Sequence, residues 1–231
     1  MPNLKMMEMV KERRRRMRPR AKRLYREYRT QVCDLIHQLG GPVQEDHDRA
    51  FDLLSRMGEC IASELLEALA DPTLDPIAAD EVVSLLGGTG DERAREVVWQ
   101  FLQANLDDPE RVSTAALSLA GLGDDRALPY LRQGLDADDE EDVANSAAGL
   151  IMLGRMEDIP RLRQAHRLHR ANREVRFGIA NAILTIVGES DQRTFERTLE
   201  EIRTSFADRD LWSDIWAILD SQFGPTRHPV H

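Results

Sequence analysis

The clearest pattern in this chain is apolar positions recurring three and four residues apart, in stretches of 10 to 15 residues cut by glycine, proline and acidic turns. That period is helical, because residues at i, i+3, i+4 and i+7 share one face of an α-helix. Ala115, Ala116, Leu119 and Leu122 make one such stripe; Ala127, Leu128, Leu131 and Leu135 make the next. The pattern predicts helices near 45–57, 60–70, 76–86, 91–106, 109–122, 125–135, 140–153, 157–169, 173–187, 191–205 and 209–223. An earlier segment, 3–39, carries the stripe Tyr25, Tyr28, Val32, Leu35, Ile36 and Leu39, with Pro19 dividing it. Proline suits a first helical turn and not a helix interior.

The helices recur as pairs. Gly58, Gly90, Gly123, Gly154, Gly188 and Gly224 close apolar stretches at spacings of 32, 33, 31, 34 and 36 residues. Asp75-Pro76 and Asp108-Pro109 lie 33 apart, with Asp139 and Asn172 at the matching places one and two periods on. Each is expected to cap a first helix, its side-chain oxygen taking an otherwise orphaned N–H. The glycines are expected to end those helices in the left-handed conformation. One helix pair cannot bury its own apolar face, so a period of this length predicts stacked pairs sharing a continuous core. Small residues (Ala116, Ala120, Ala147, Ala148, Ala180) are expected to let the helices approach closely.

Charge changes the picture at one end. The whole chain has net charge −10, yet residues 1–29 hold 12 Lys/Arg against 3 Asp/Glu, a balance of +9, leaving 19 basic and 38 acidic residues beyond them, or −19. The basic positions predicted to bind a partner are Arg13, Arg14, Arg15, Arg16, Arg18, Arg20, Lys22 and Arg23. Such a run complements the acidic body of its own chain, an acidic protein, nucleic-acid phosphates or anionic lipid. Tyr25 and Tyr28 interleave with it, but their place on the apolar stripe assigns them to packing.

Other constellations are weaker. Arg161, Arg163, Arg167, Arg170, Arg173 and Arg176 with His166 and His169 form a basic ridge, of which Arg163, Arg167 and Arg170 are expected partner contacts. Trp212 and Trp216, four apart on the last helix, are expected either to anchor a partner or to cover the open end of the stack. Trp99 is a further outlier. The acidic run Asp136–Asp142 reads as a solvated helix start, and Cys33 with His37 as half-buried packing, so no metal site is predicted. No nucleophile elbow, phosphate-binding loop or dinucleotide motif occurs, and neither enzymatic activity nor a cofactor is expected. Two cysteines are too few for a disulfide framework, which fits a cytoplasmic location, and no apolar run is long enough to span a membrane.

The repeats resemble HEAT repeats, in the short bacterial form found in phycobilin lyases. The residues that carry the likeness are GDDRALPYLRQGL at 123–135 and GRMEDIPRLRQA at 154–165, where an acidic turn leads to a helix bearing Pro129 or Pro160 and then Leu131 or Leu162. GDERAREVVWQFL at 90–102 keeps the Asp-x-Arg-Ala turn without the proline. The resemblance implies an all-α fold: a right-handed α-solenoid of about five HEAT-like helix pairs, with a basic helical arm at 1–41, the repeats at 42–224 including a capping helix, and a tail at 225–231. On function it says little; the repeat period, the missing catalytic constellation and the charge asymmetry point to a non-enzymatic adaptor that binds a protein partner, with a phycobilin lyase-like chaperone or isomerase, which the resemblance implies, and a nucleic-acid binder acting through the arm as the alternatives.

Overall fold

The computed structural model describes residues 19–169 and 171–188, together with the backbone at 193, 194, 196, 197 and 200; the expected helices at 3–18 and 209–223 lie outside them. Every regular element among the described residues is helical. In chain order they are α1 (Pro19–Leu39), α2 (Gln44–Ser55), α3 (Ala62–Leu69), α4 (Pro76–Gly87), α5 (Glu92–Ala104), α6 (Pro109–Gly121), α7 (Leu128–Gly134), α8 (Glu140–Leu153), α9 (Ile159–Leu168) and α10 (Arg173–Gly188). Short 3-10 turns at Gly58–Ile61, Asp125–Ala127 and Met156–Asp158 lead into α3, α7 and α9. The periodicity therefore places the first four pairs and the first helix of the fifth correctly but runs these second helices two to three residues too far toward the N-terminus; the expected helix at 191–205 lies mostly outside the described residues. A helix start often tightens to i→i+3 bonding where acidic residues compete for the first N–H groups.

The expected caps form. Asp75 Oδ1 accepts from the N–H of Ile77 at 2.9 Å, Asp108 Oδ1 from Arg111 at 3.3 Å, Asp139 Oδ1 from Glu141 at 2.9 Å and Asn172 Oδ1 from Glu174 at 2.9 Å. The glycine reading holds for only part of the series. Gly58, Gly90 and Gly123 have φ of +54°, +66° and +70°. Around Gly123, Asp124 N–H bonds the Leu119 carbonyl at 2.9 Å and Gly123 N–H bonds that of Ala120 at 2.9 Å, the paired bonds of a Schellman closure. Gly154 instead has φ −62° and ψ 152°, an extended conformation open to any residue. A Cβ there would crowd the Leu150 carbonyl oxygen and lie 2.5 Å from Ile186 Cδ1, so Gly154 serves close packing and not a left-handed turn.

The chain divides into two compact units, 1–85 and 86–231, with the boundary inside α4. In the first unit α1 packs on α2 and α3, burying Val32, Ile36, Leu39, Ala50, Leu54, Ile61, Ala62 and Leu65. Gly40 meets the Asp75 side chain so closely that a Cβ would sit 2.6 Å from Asp75 Cβ.

In the second unit the first helices of successive pairs, α6, α8 and α10, lie side by side, and α6–α8 and α8–α10 are the most extensive helix pairings within the described residues. The second helices α7 and α9 pack onto the first helix of the following pair, α8 and α10. Small residues set the close approach, although sequence reasoning named only some of them. A Cβ on Gly121 would fall 2.5 Å from the Gly87 carbonyl oxygen, and one on Gly87 would fall 2.7 Å from Ser118 Cα. Ser118 is buried and its hydroxyl is satisfied by the Thr114 carbonyl at 2.9 Å. Ala148, expected at a close approach, is only half-buried. Gly149 takes the tight place beside it, where a Cβ would meet Leu131 Cδ2 at 2.5 Å.

Candidate interaction surfaces

Three surfaces carry the side chains that sequence reasoning singled out. The first is the exposed side of α1. Val32, Ile36 and Leu39 hold its C-terminal half in the core, and polar contacts hold its middle. Arg29 pairs with Glu67 and lies 3.6 Å from Glu64, itself only 4% exposed on α3. Tyr25 donates its hydroxyl to Glu64 at 3.4 Å, and Tyr28 to the Cys60 carbonyl at 3.2 Å. Partial burial, helped by the nearby Glu64 charge, raises the Tyr28 pKa. These half-buried tyrosines are thus tied through their hydroxyls to α3 and to the turn that leads into it. Arg23 and Arg26 remain exposed, Arg23 lying 3.6 Å from Glu27 one turn on. The backbones of Arg20 and Lys22 lie in the first two turns of α1, while Arg13, Arg14, Arg15, Arg16 and Arg18 are outside the described residues.

The second surface is the layer of second helices α5, α7 and α9. Here an aspartate two residues before an arginine folds into a tight ionic turn. Asp91 Oδ1 accepts both the backbone N–H and Nε of Arg93 at 2.9 Å. Asp124 does the same for Arg126, with distances of 3.0 Å and 3.0 Å and a third bond from Nη2 to Oδ2 at 2.7 Å. The arginine hydrogen bonds hold both carboxyls below the usual carboxylate range, against an opposing effect of burial.

Arg126 also reaches the preceding pair. Nη1 donates to Glu96 Oε2 at 3.0 Å, and its guanidinium stacks 4.8 Å from the Trp99 ring centre. Tyr130 meets that indole edge-on at 6.1 Å and accepts a hydrogen bond from Gln103 at 2.8 Å. Farther along, Arg155 pairs with Asp125 at 2.5 Å, Arg132 with Asp158 at 2.6 Å and Glu157 at 2.5 Å, and Arg161 with Asp136 at 3.5 Å. Long polar side chains thus link neighbouring second helices. The sequence marks Trp99 only as an outlier; the repeated Asp-x-Arg turn is legible there, but not that its Arg126 stacks on the indole of the preceding pair.

The third surface is the basic ridge. Arg167 is exposed beside Leu168, which is 64% exposed, and Arg161 and Arg173 are exposed as well. Arg163, His169 and Arg176 are half-buried. His166 is half-buried too, and its pKa falls to about 4 because burial disfavours the imidazolium and Arg176 and Arg167 repel it. It is neutral at pH 7 and adds no charge to the ridge. Arg170, Trp212 and Trp216 lie outside the described residues.

The metal reading can be set against geometry. Among the described residues no group of three or more His, Cys, Asp or Glu side chains is placed to hold a metal ion. Cys33 is half-buried, while Cys60 and His37 are exposed. No described helix is long and apolar enough to cross a membrane.

Comparison with known families agrees with this architecture. Residues 62–152, from α3 through α8, match the HEAT repeats family. The match is to HEAT repeats in general and does not extend to the resemblance to bilin lyases. No curated protein matches the chain. The helical pairs over residues 62–152 are thus similar to HEAT repeats, and stacked helix pairs of this kind present extended surfaces on which other proteins commonly dock.

Proposed function

We propose that this chain is a non-enzymatic HEAT-repeat adaptor. Its repeats dock a protein partner, and its basic N-terminal segment makes a second, electrostatic contact. The observation that carries the reading is the fourth helix pair: residues 159–173 contain five arginines and no acidic residue in a chain of net charge −10. There Arg167 and Leu168 are both exposed at the end of α9. A cation next to an open aliphatic side chain suits an acidic partner segment that also carries an apolar anchor, since hot spots combine both. In this reading Arg163, Arg167 and Arg170 supply the charge, and Trp212 and Trp216 extend the contact.

Site-specific photocrosslinking in the native host tests this. A crosslinking residue at position 168 is expected to capture one recurrent polypeptide, while one at Gln100 on α5 is not. The substitution Arg167→Glu is expected to abolish that capture. Equal capture from both positions, or none from 168, overturns the docking surface.

A further inference from the structure

We propose that this chain pairs with a second copy of itself along the edge where α8 and α10 begin, the acidic turn of each copy facing the basic turn of the other. This rests on the reading of the basic ridge as a docking surface and names its partner. The two turns have opposite composition. The turn into α8 holds six acids and no base between positions 136 and 142. Residues 159–173, which cover α9 and the turn into α10, hold five arginines and no acid.

The fold sets these turns next to each other, because α8 and α10 pack side by side and both turns enter at the same end. They touch directly. Asn172, the cap of α10, donates from Nδ2 to Glu140 Oε2 at 2.5 Å, and Arg161 lies 3.5 Å from Asp136. Those contacts engage Glu140 and Asp136. Asp138 and Glu141 stand exposed on the acidic turn, as Arg167 and Arg173 do on the basic side.

This juxtaposition restricts what can dock. Packed helices lie about 10 Å apart. A uniformly acidic segment drawn to Arg167 therefore comes within a Debye length of six carboxylates, and any polyanion is repelled in the same way. The partner that fits reverses its charge over one helix spacing. This edge has that pattern itself. A twofold axis between the two turns lays acid on base twice, since an isologous contact presents the same patch from both sides. Leu168, the last residue of α9, is 64% exposed, more than any other large apolar side chain among the described residues. Exposed ion pairs contribute little singly, so Leu168 supplies apolar burial while the charges set the register. At 0.1 M salt the net charge of −10 on each copy is screened beyond about 10 Å, whereas ion pairs in contact are screened far less.

The test is sedimentation equilibrium of the full chain between about 5 and 500 µM, at about 0.1 and 0.5 M salt. A monomer–dimer equilibrium is expected, weaker at the higher salt. The double variants R167E/R173E and D138R/E141R are each expected to stay monomeric, because like charge then faces like charge. An equimolar mixture of the two is expected to pair 1:1 with the affinity of the unsubstituted chain, and circular dichroism checks that each keeps the helical fold. Leu168→Ser is expected to weaken pairing roughly tenfold at both salts. A chain that is monomeric throughout, variants that still self-associate, or folded variants that fail to pair when mixed overturns the proposal. The crosslinker at position 168 separates this outcome from the adaptor reading. A monomeric chain that captures a foreign polypeptide there overturns the dimer and keeps the adaptor surface; a dimer that captures only its own copy does the reverse.

Discussion

The two helix layers of residues 86–188 are built from different chemistry. In α6, α8 and α10 every charged residue lies in the first turn; 112–121, 143–153 and 177–188 carry none. These helices lie side by side, and α6 meets the end of α4 backbone against backbone at Gly121 and Gly87. In α5, α7, α9 and the turns that lead into them, arginines alternate with carboxylates, the carboxylates lying mostly in the turns, and neighbours are joined by ion pairs such as Arg126–Glu96 and Arg132–Asp158. Direct contact demands shape and tolerates salt. Ionic links tolerate shape, and salt screens them to the degree that they are exposed. The first layer therefore fixes the spacing of the stack, and the second secures its register while leaving charged side chains on the surface.

The largest expected effect is on the second layer's ionic link to the buried Asp158. Asp158 is 3% exposed and receives Arg132 Nε at 2.6 Å and the Arg155 N–H at 2.9 Å. Arg132→Met leaves that carboxylate buried beside a thioether and is expected to cost about 3 kcal/mol in urea unfolding. Asp158→Asn in the same chain should return most of it. A double-mutant coupling indistinguishable from zero would show that the second layer has no strong ionic link.

Next is the direct contact. A methyl group at Gly87 meets Ser118 Cα at 2.7 Å, backbone that has no rotamer to yield. Gly87→Ala is expected to cost roughly 2 kcal/mol net of the helix propensity it gains, and to cost the same at 0.05 and 0.5 M salt. A salt-dependent loss would mean that charge also sets the first-layer spacing.

Sequence legibility follows the same division. Caps at Asp75, Asp108, Asp139 and Asn172 were readable because a capping oxygen needs only its own next two or three residues. The left-handed role of Gly123 was readable for that reason too, while Gly154, at the matching place one period on, answers to the Leu150 carbonyl of its own helix and to Ile186 in the next first helix. Gly87, Gly121 and Ser118 were missed because nothing local marks a residue as small for the sake of a neighbour 31 to 34 positions away. Of the site residues, Arg167, expected as a partner contact, is exposed. His166, one residue earlier, was read as part of a cationic patch, yet the same helix turns it inward.

His166 gives a smaller effect, seen through pH. Its folded pKa, about 4, lies below the unfolded value of 6.5. The unfolded chain thus binds a proton that the folded chain refuses between those values. The stabilisation is complete above pH 6.5 and is lost as pH falls through that window toward 4. After allowance for partial exposure, the loss is about 1–2 kcal/mol. His166→Asn is expected to flatten the urea midpoint between pH 6.5 and 4.5; a slope equal to that of the unsubstituted chain would place the titration elsewhere.

The smallest effect comes from the exposed link. Glu96 is 62% exposed, and the Arg126 hydrogen bond holds its pKa below the ordinary range. Arg126 keeps Asp124 at 2.7 Å and the Trp99 face at 4.8 Å without it. Glu96→Gln is expected to lower the melting temperature by a degree or so at most at low salt and not measurably at 0.5 M, because solvent already screens most of the attraction. Trp99 fluorescence is the sharper readout: the guanidinium should stay on the indole, leaving the emission unchanged. An emission shift in Glu96→Gln would show that the Glu96 link, and not the Asp124 turn, positions Arg126. The ionic chain between neighbouring second helices would then be continuous, with each carboxylate setting the next arginine, in place of a series of turns that each hold their own.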